Sequence, residues 1–196
     1  SEDVRDESTQ CGMNTKVLMV DHQDSFVHTL AAYFRETGAS VSTVRPDSVA
    51  DVLSSLSPDL VVLSPGPGKP GDFGLNDTLS LCLDAGIPVF GVCLGLQGIV
   101  EYFGGVLGTL DYPMHGKSSC IEQAQDSLFD DIPLPMTIGR YHSLVANVVP
   151  PCLKVTARTP DGMVMAIEHK KLPVSAVQFH PESILSLGSN CGAKII

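Results

Sequence analysis

The chain has 196 residues, 43% of them hydrophobic and 17% charged, and its formal net charge at pH 7 is −10. This length suits one α/β domain with a sizeable core. The negative charge argues against a nucleic-acid partner, because phosphate backbones bind clustered Lys and Arg. Apolar runs long enough for a membrane span are absent from the sequence, so we expect no membrane partner.

The start of the chain, SEDVRDESTQ, is acidic and polar, which is unlike a secretory signal or an Arg-rich transit peptide. The six cysteines are widely spaced and form no C-x-x-C pair, so neither a zinc ribbon nor a redox pair is indicated. The six histidines form no H-E-x-x-H, and we expect no metal site. Together these features predict a cytoplasmic chain with reduced thiols.

Residues 1–16 have no apolar periodicity and predict a flexible tail or an interdomain linker, followed by one domain over residues 17–196. The first residue is Ser1 rather than Met, and the final GAKII has no signal that ends a helix. We therefore expect an excerpt of a longer polypeptide or a chain trimmed at its ends.

Short apolar runs alternate with helical patterns over the first ~105 residues. Strands are predicted at Val17–Val20, Val41–Val44, Leu60–Leu63 and Pro88–Val92. Helices are predicted from Asp24 or Ser25 to about Thr37, from Pro46 to about Leu56, from Leu75 to Ala85, and after Cys93. The alternation, with continuously apolar strands, predicts a mostly parallel, doubly wound sheet flanked by helices.

The second half of the chain changes character, because short strand patterns follow one another without helices between them. Asp161-Gly162 is a hairpin turn signal. We expect an antiparallel extension of the sheet, or ribbons packed on it, from strands at Ser118–Glu122, Thr137–Arg140, Leu153–Ala157, Val164–Glu168 and Val174–Phe179.

A candidate nucleophile lies between the fourth strand and the helix after it. The segment GVCLG, residues 91–95, matches the G-x-S-x-G elbow with Cys93 in place of serine. Such a turn strains the nucleophile's backbone and places its sulfur at a helix N-terminus, which favours thiolate. The N–H of Leu94 is then positioned to stabilise an oxyanion. A buried structural cysteine beside packing glycines is the alternative.

A candidate base lies in VQFHPES, residues 177–183, where His180 and Glu182 are two residues apart at the end of an apolar strand. Alternate residues of an extended chain point to the same side, so the carboxylate is placed to orient the imidazole. A surface histidine at a turn is the alternative.

The loop SPGPGKPG, residues 64–71, formally fits G-x-G-x-x-G. Pro67 and Pro70 lack the N–H donors that a pyrophosphate needs, which argues against a dinucleotide site. We expect a rigid wall in which the N–H of Gly66 completes an oxyanion hole; an ordinary proline-rich turn is the alternative.

Four segments, SPGPGKP, GVCLGLQ, GRYHSL and FHPES, occur in an order that resembles the class I (triad) glutamine amidotransferases over about residues 17–196. The opening VDHQDSFVHTL and the segment MHGK are most similar to the amidotransferases of anthranilate synthase and of its relative aminodeoxychorismate synthase.

The resemblance implies a role for each matching residue. Cys93, His180 and Glu182 would form the catalytic triad. Gly66 and Leu94 would donate the oxyanion N–H groups. The glutamine pocket would be lined by Gly66, Pro67, Gly68, Gln97, Ser143 and Leu144. No cofactor is implied in this domain, and Mg²⁺ is expected only in a partner synthase.

The implied activity is hydrolysis of L-glutamine to glutamate and ammonia, with the ammonia used by a chorismate-using synthase that is either a separate chain or a fused domain. Anthranilate synthesis, for tryptophan, is the preferred route, and aminodeoxychorismate synthesis, for folate, stays open. Two other functions also stay open, a catalytically silent partner domain and a stand-alone thiol hydrolase of γ-glutamyl compounds.

Overall fold

The computed structural model describes residues 15–121, 123–124 and 136–180, with side chains described for 15–109 and 144–180. The predicted tail, residues 1–16, therefore lies almost entirely outside the described residues. Within them, no helix is both long and apolar enough to cross a membrane.

The first half of the chain alternates strands and helices, as the sequence predicts. Short 3-10 turns at Pro46–Ser48 and Pro70–Phe73 precede the second and third helices. The elements are β1 Lys16–Val20, α1 Val27–Glu36, β2 Ser40–Val44, α2 Val49–Leu56, β3 Leu60–Leu63, α3 Leu75–Asp84, β4 Val89–Val92 and α4 Leu94–Tyr102.

The main sheet has eight strands in the order β2-β1-β3-β4-β10-β9-β8-β6. From β2 to β10 each strand pairs parallel with the next one in this order. From β10 to β6 each strand pairs antiparallel with the next. The later strands are β5 Val106–Ile121, β6 Gln123–Ala124, β7 Met136–Val148, β8 Leu153–Arg158, β9 Val164–His169 and β10 Val174–Val177. The predicted mostly parallel sheet with an antiparallel extension is confirmed.

Strands β5 and β7 form a separate two-stranded antiparallel sheet, much longer than the strands predicted at 118–122 and 137–140. The pairing shifts register between Thr109 and Met114 and again between His115 and Lys117. Pro113 and Gly116 lie at these two shifts. Both residues are disfavoured in regular strands, which is why the sequence pattern concealed the length of the ribbon.

The core lies on both faces of the main sheet. On one face Leu30 and Phe34 of α1 join the buried cluster that contains Met19. On the other face Leu79 and Leu96 join the cluster that contains buried residues of β3. Each fully buried side chain of this size stabilises the fold by about 1.5–3 kcal/mol. Covering both faces explains why the parallel strands are continuously apolar.

The parallel strands place their carboxyl ends at one edge of the sheet. The chain leaves β1 toward His22, β3 toward Ser64, β4 toward Cys93 and β10 toward His180. In such sheets the crevice beyond the carboxyl ends of the strands is the usual ligand site. Cys93, His180 and the SPGPG loop, three of the features singled out in the sequence, therefore lie at this edge.

Candidate functional site

Cys93 occupies the sharp turn between β4 and α4. Its φ is +54° and its ψ −97°, in a region that residues with side chains rarely adopt. Such a conformation costs about 1–3 kcal/mol and persists only where the surrounding structure enforces it. Here the Cys93 N–H donates to Val177 O at 2.7 Å, and this hydrogen bond holds the turn against β10.

The two glycines of the elbow are required by space. A Cβ on Gly91 would lie 2.7 Å from the Gly95 carbonyl carbon, and one on Gly95 would lie 2.7 Å from Leu63 O. Both distances are shorter than any ordinary carbon contact. The G-x-C-x-G pattern thus records how closely α4 approaches β4 and β3.

The thiol of Cys93 differs in its setting from that of Cys82. Cys82 is fully buried in α3, and desolvation raises the pKa of its thiol to about 11. Cys93 instead precedes the first residue of α4, whose first-turn N–H groups carry partial positive charge. This position favours the thiolate over the thiol. Both cysteines are buried, so burial alone does not separate the two interpretations of Cys93, and its role as nucleophile stays a prediction.

His180 lies just beyond β10, the strand that neighbours β4. The register pairs Val92 with Val177, so residues that follow these two positions meet at the same edge. The His180 side chain is buried, and its ring meets Phe26 edge-on with centroids 4.6 Å apart. It is therefore not the surface histidine of the alternative interpretation. Glu182 lies outside the described residues, and its role stays a prediction.

The SPGPG loop is anchored to the segment after β1. The Ser64 hydroxyl accepts from His22 N–H and donates to Pro65 O, both at 2.9 Å. His22 Nδ1 lies 2.9 Å from Ser64 O, which only accepts, so Nδ1 carries the proton. Burial lowers the pKa of His22, against the opposing effect of this hydrogen bond. The sequence gives His22 no role, and its part in anchoring the SPGPG loop becomes evident from its hydrogen bonds to Ser64.

Gly66 is held in a narrow gap between the loop after β1 and the elbow. A Cβ at this position would lie 2.7 Å from both Cβ and O of His22, and 2.8 Å from Cδ2 of Leu94. The structure thus brings together the two residues predicted to form the oxyanion hole. Pro67 and Gly68, predicted to line the pocket, are exposed, and the next N–H, of Lys69, is held by Asp72 Oδ2 at 2.9 Å.

Gln97 lies buried on α4, one turn beyond Cys93. Its Nε2 donates to Leu144 O at 3.2 Å and to Gln178 Oε1 at 3.4 Å. This places Gln97 and Leu144 together near the elbow, and their role in lining a glutamine pocket stays a prediction. Ser143 belongs to β7, but its side chain is not among those described.

Gln178 is a site residue to which the sequence alone assigns no role. Its side chain is fully buried, and its Nε2 donates to Cys93 Sγ at 3.4 Å. Gln178 lies in the bend that follows β10, and the pairing of β10 with β4 brings it to Cys93, so no local sequence pattern signals this contact.

Among the described residues, no cluster of three or more His, Cys, Asp or Glu is arranged to hold a metal ion.

The family model for class-I glutamine amidotransferases matches residues 18–191. The chain is 55% identical over 187 residues to anthranilate synthase of Azospirillum brasilense, covering 94% of this chain and 26% of that protein. It is 42% identical over 173 residues to aminodeoxychorismate/anthranilate synthase component 2 of Bacillus subtilis, covering 87% of this chain and 89% of that protein.

Among solved structures, a putative GMP synthase protein from Thermoplasma acidophilum superposes with a TM-score of 0.80. It is 24% identical and covers 92% of this chain and 89% of its own, which supports the shared fold. The family-model match over residues 18–191 and the Bacillus subtilis relative show that the chain belongs to the class-I glutamine amidotransferase family.

Proposed function

We propose that this chain hydrolyses L-glutamine with Cys93 as the nucleophile, His180 as the base and Glu182 as the group that orients the base. The carrying observation is the elbow itself, where Cys93 is held at φ +54° beside the strand that leads to His180. A strained conformation that the neighbouring strand and two glycines enforce is typical of a functional site.

In the proposed reaction His180 accepts the thiol proton of Cys93, and the sulfur attacks the carboxamide carbon of glutamine. The N–H groups of Gly66 and Leu94 stabilise the oxyanion that forms. The carbon–nitrogen bond then breaks, and the leaving nitrogen takes the proton from His180 to become ammonia. Water hydrolyses the γ-glutamyl thioester, which releases glutamate and restores the thiol.

The substrate pocket is proposed to lie between the SPGPG loop and β7. Gly66, Gln97 and Leu144 lie near the elbow in the described part of the chain. Ser143, Pro67 and Gly68 complete the proposed lining, with the last two on the exposed side. This arrangement would hold the carboxamide of glutamine over the sulfur.

We further propose that the ammonia passes to a chorismate-using synthase, which is either a separate chain or a fused domain, for anthranilate synthesis. The relative from Azospirillum brasilense supports a fused form, since this chain spans 26% of its length. The printed name of the Bacillus subtilis relative covers both anthranilate and aminodeoxychorismate synthesis. Aminodeoxychorismate synthesis is therefore the second candidate. Mg²⁺ is assigned to the synthase, and a cytoplasmic location is part of the same proposal.

The test measures glutamate release from glutamine by the wild-type chain and by Cys93→Ala, each with and without a chorismate-using synthase and chorismate. We expect release that rises when the synthase is added and that Cys93→Ala abolishes. Synthase supplied with ammonium salt should keep forming its aminated product with the variant, because only the nucleophile is lost. Replacing an anthranilate-forming synthase by an aminodeoxychorismate-forming one distinguishes the two routes.

Three results would contradict the proposal. Glutamate release by the Cys93→Ala variant at the wild-type rate would exclude Cys93 as the nucleophile. Rapid release without any synthase would instead indicate a stand-alone hydrolase, and no release under any condition would indicate a silent domain.

A further inference from the structure

A chain of three side-chain hydrogen bonds connects strand β7 to the sulfur of the elbow. Leu144 O accepts from Gln97 Nε2 at 3.2 Å, and the same nitrogen donates to Gln178 Oε1 at 3.4 Å. Gln178 Nε2 then donates to Cys93 Sγ at 3.4 Å. Both glutamines are buried, with 3% of Gln97 and none of Gln178 exposed, so bulk water competes little for these bonds.

The direction of this chain is fixed at its first bond. A backbone carbonyl only accepts, so Gln97 must turn its NH₂ group toward Leu144. That NH₂ group also faces Gln178, which must therefore present its oxygen. The opposite end of the Gln178 amide, its NH₂ group, is then left for the sulfur. The hydrogen-bond network thus settles an amide orientation that side-chain shape alone leaves ambiguous.

The backbone of Gln178 is fixed as firmly as its side chain. Its N–H donates to Met165 O at 2.8 Å, while the residue before it accepts from Cys93 N–H at 2.7 Å. The donor and the sulfur are thus tied to the same strand end, and the contact between them does not depend on a mobile loop.

We infer that Gln178 is a thiolate-stabilising residue, whose amide NH₂ group, oriented by Gln97 and Leu144, donates to Cys93 Sγ and favours its charged form. This inference rests on the proposed function only for its effect on catalysis. A donor to the charged form of an acid favours ionisation, and hydrogen bonds to charged groups are stronger than neutral ones. Cys93 Sγ accepts the hydrogen bond from Gln178 Nε2 both as a thiol and as a thiolate. This hydrogen bond becomes stronger when the thiol proton passes to His180.

The effect on rate is smaller than the effect on ionisation, because a stabilised thiolate is also a weaker nucleophile. If Gln178 lowers the thiol's ionisation midpoint by about one pH unit, the thiolate fraction at neutral pH rises roughly tenfold. Nucleophilicity falls by roughly threefold over the same change, given a Brønsted coefficient of about 0.4–0.5. The net gain at neutral pH is therefore roughly threefold. At high pH the thiol is ionised without help, and the gain is replaced by a loss of roughly threefold.

The experiment measures the rate of iodoacetamide labelling of Cys93 against pH in the full chain, read by mass spectrometry of the peptide that contains Cys93. Gln178→Met removes the donor while keeping an unbranched side chain of similar size. Gln178→Glu keeps the acceptor for Gln97 but turns a carboxylate toward the sulfur. Thr156→Val is the matched control, because it alters another buried polar side chain, on β8, outside the hydrogen-bond chain.

We expect the labelling midpoint to rise by about one pH unit in Gln178→Met and further in Gln178→Glu, where like charge opposes ionisation, and to stay unchanged in Thr156→Val. Glutamine turnover by Gln178→Met should fall roughly threefold at neutral pH and should reach or exceed the wild-type rate at alkaline pH. A midpoint unchanged in both Gln178 variants would overturn the inference. So would equal shifts in Thr156→Val. Should one Gln178 variant fail to fold, as judged by circular dichroism, the other decides the question.

This readout separates the inference from the proposed function. Labelling reports the ionisation of Cys93 whether or not the chain hydrolyses glutamine. A raised midpoint in a chain without glutaminase activity would sustain the role of Gln178 and refute the proposed reaction. An unchanged labelling midpoint in a chain that hydrolyses glutamine would refute the role of Gln178 and leave the proposed reaction intact.

Discussion

Replacing Gly66 by alanine tests whether the SPGPG loop forms one side of an oxyanion hole. The added Cβ would lie 2.7 Å from Cβ and O of His22 and 2.8 Å from Cδ2 of Leu94. Ordinary van der Waals contact begins near 3.4 Å, so the loop must move by roughly 0.7 Å. His22 is not easily displaced, because Ser64 forms hydrogen bonds with both its backbone N–H and its imidazole. The movement therefore falls on Gly66 and its N–H.

The expected loss of activity is large compared with the expected loss of stability. A misplacement of about 1 Å at a catalytic group costs about 100-fold, and loss of one oxyanion donor costs about 100- to 1000-fold in kcat. Overpacking of this kind destabilises by about 1–3 kcal/mol. We therefore expect kcat for glutamine to fall about 100-fold with a smaller change in KM, in a protein that still folds.

The matched control is Gly71→Ala, in the same loop. Among the described residues, none other than Gly71 and its chain neighbours has a heavy atom within 4 Å of the position that a Cβ on Gly71 would take. Steady-state kinetics and thermal unfolding of the two variants give the comparison. Wild-type kcat in Gly66→Ala would refute the proposed hole, and an equal loss in Gly71→Ala would show that the loop responds to any substitution.

Two further predictions concern stability. Burial lowers the pKa of His22 below its ordinary value of 6.5 in the folded protein. Below pH 6.5 the unfolded chain therefore binds more protons at this histidine than the folded chain does. The free energy of unfolding should fall as the pH drops below 6.5, by up to about 1.4 kcal/mol per pH unit from this group. Urea unfolding at pH 7.5 and 5.5 should show a smaller difference in His22→Asn, and an equal difference would exclude His22 as a source. Thr156 Oγ1 is buried without a hydrogen-bond partner in the described part of the chain, so Thr156→Val should raise the free energy of unfolding by about 1 kcal/mol. A lower unfolding midpoint in that variant would show that the hydroxyl has an unseen partner.

The first half of the fold was predictable because its signals are local. Each parallel strand is a short apolar run, and turn residues such as Gly38 and Gly86, both at positive φ, separate the elements. The β5–β7 ribbon was not predictable to its full length, because its irregular pairing blurs the alternation on which strand prediction depends.

The site divides in the same way. The elbow at Cys93 is a local motif, and its strained backbone and crowded glycines have the geometry that the pattern predicts. The contact of Gln178 with Cys93 joins residues 85 apart in sequence, and the anchoring of Ser64 by His22 joins residues 42 apart. Such contacts depend on which strands become neighbours, and spacing in the sequence does not specify that.

The placement of β10 beside β4 has a consequence for how the protein is made. The elbow precedes Gln178 by 85 residues, and its N–H has no partner on β10 until that strand is synthesised. At the usual rates of translation this interval lasts roughly 4 to 17 seconds. A nascent chain thus carries its sulfur for some time before it acquires the imidazole and the amide that the proposed chemistry needs. Under the proposed mechanism, a chain whose synthesis stops before the end of β10 lacks both Gln178 and His180, and we expect it to release no ammonia.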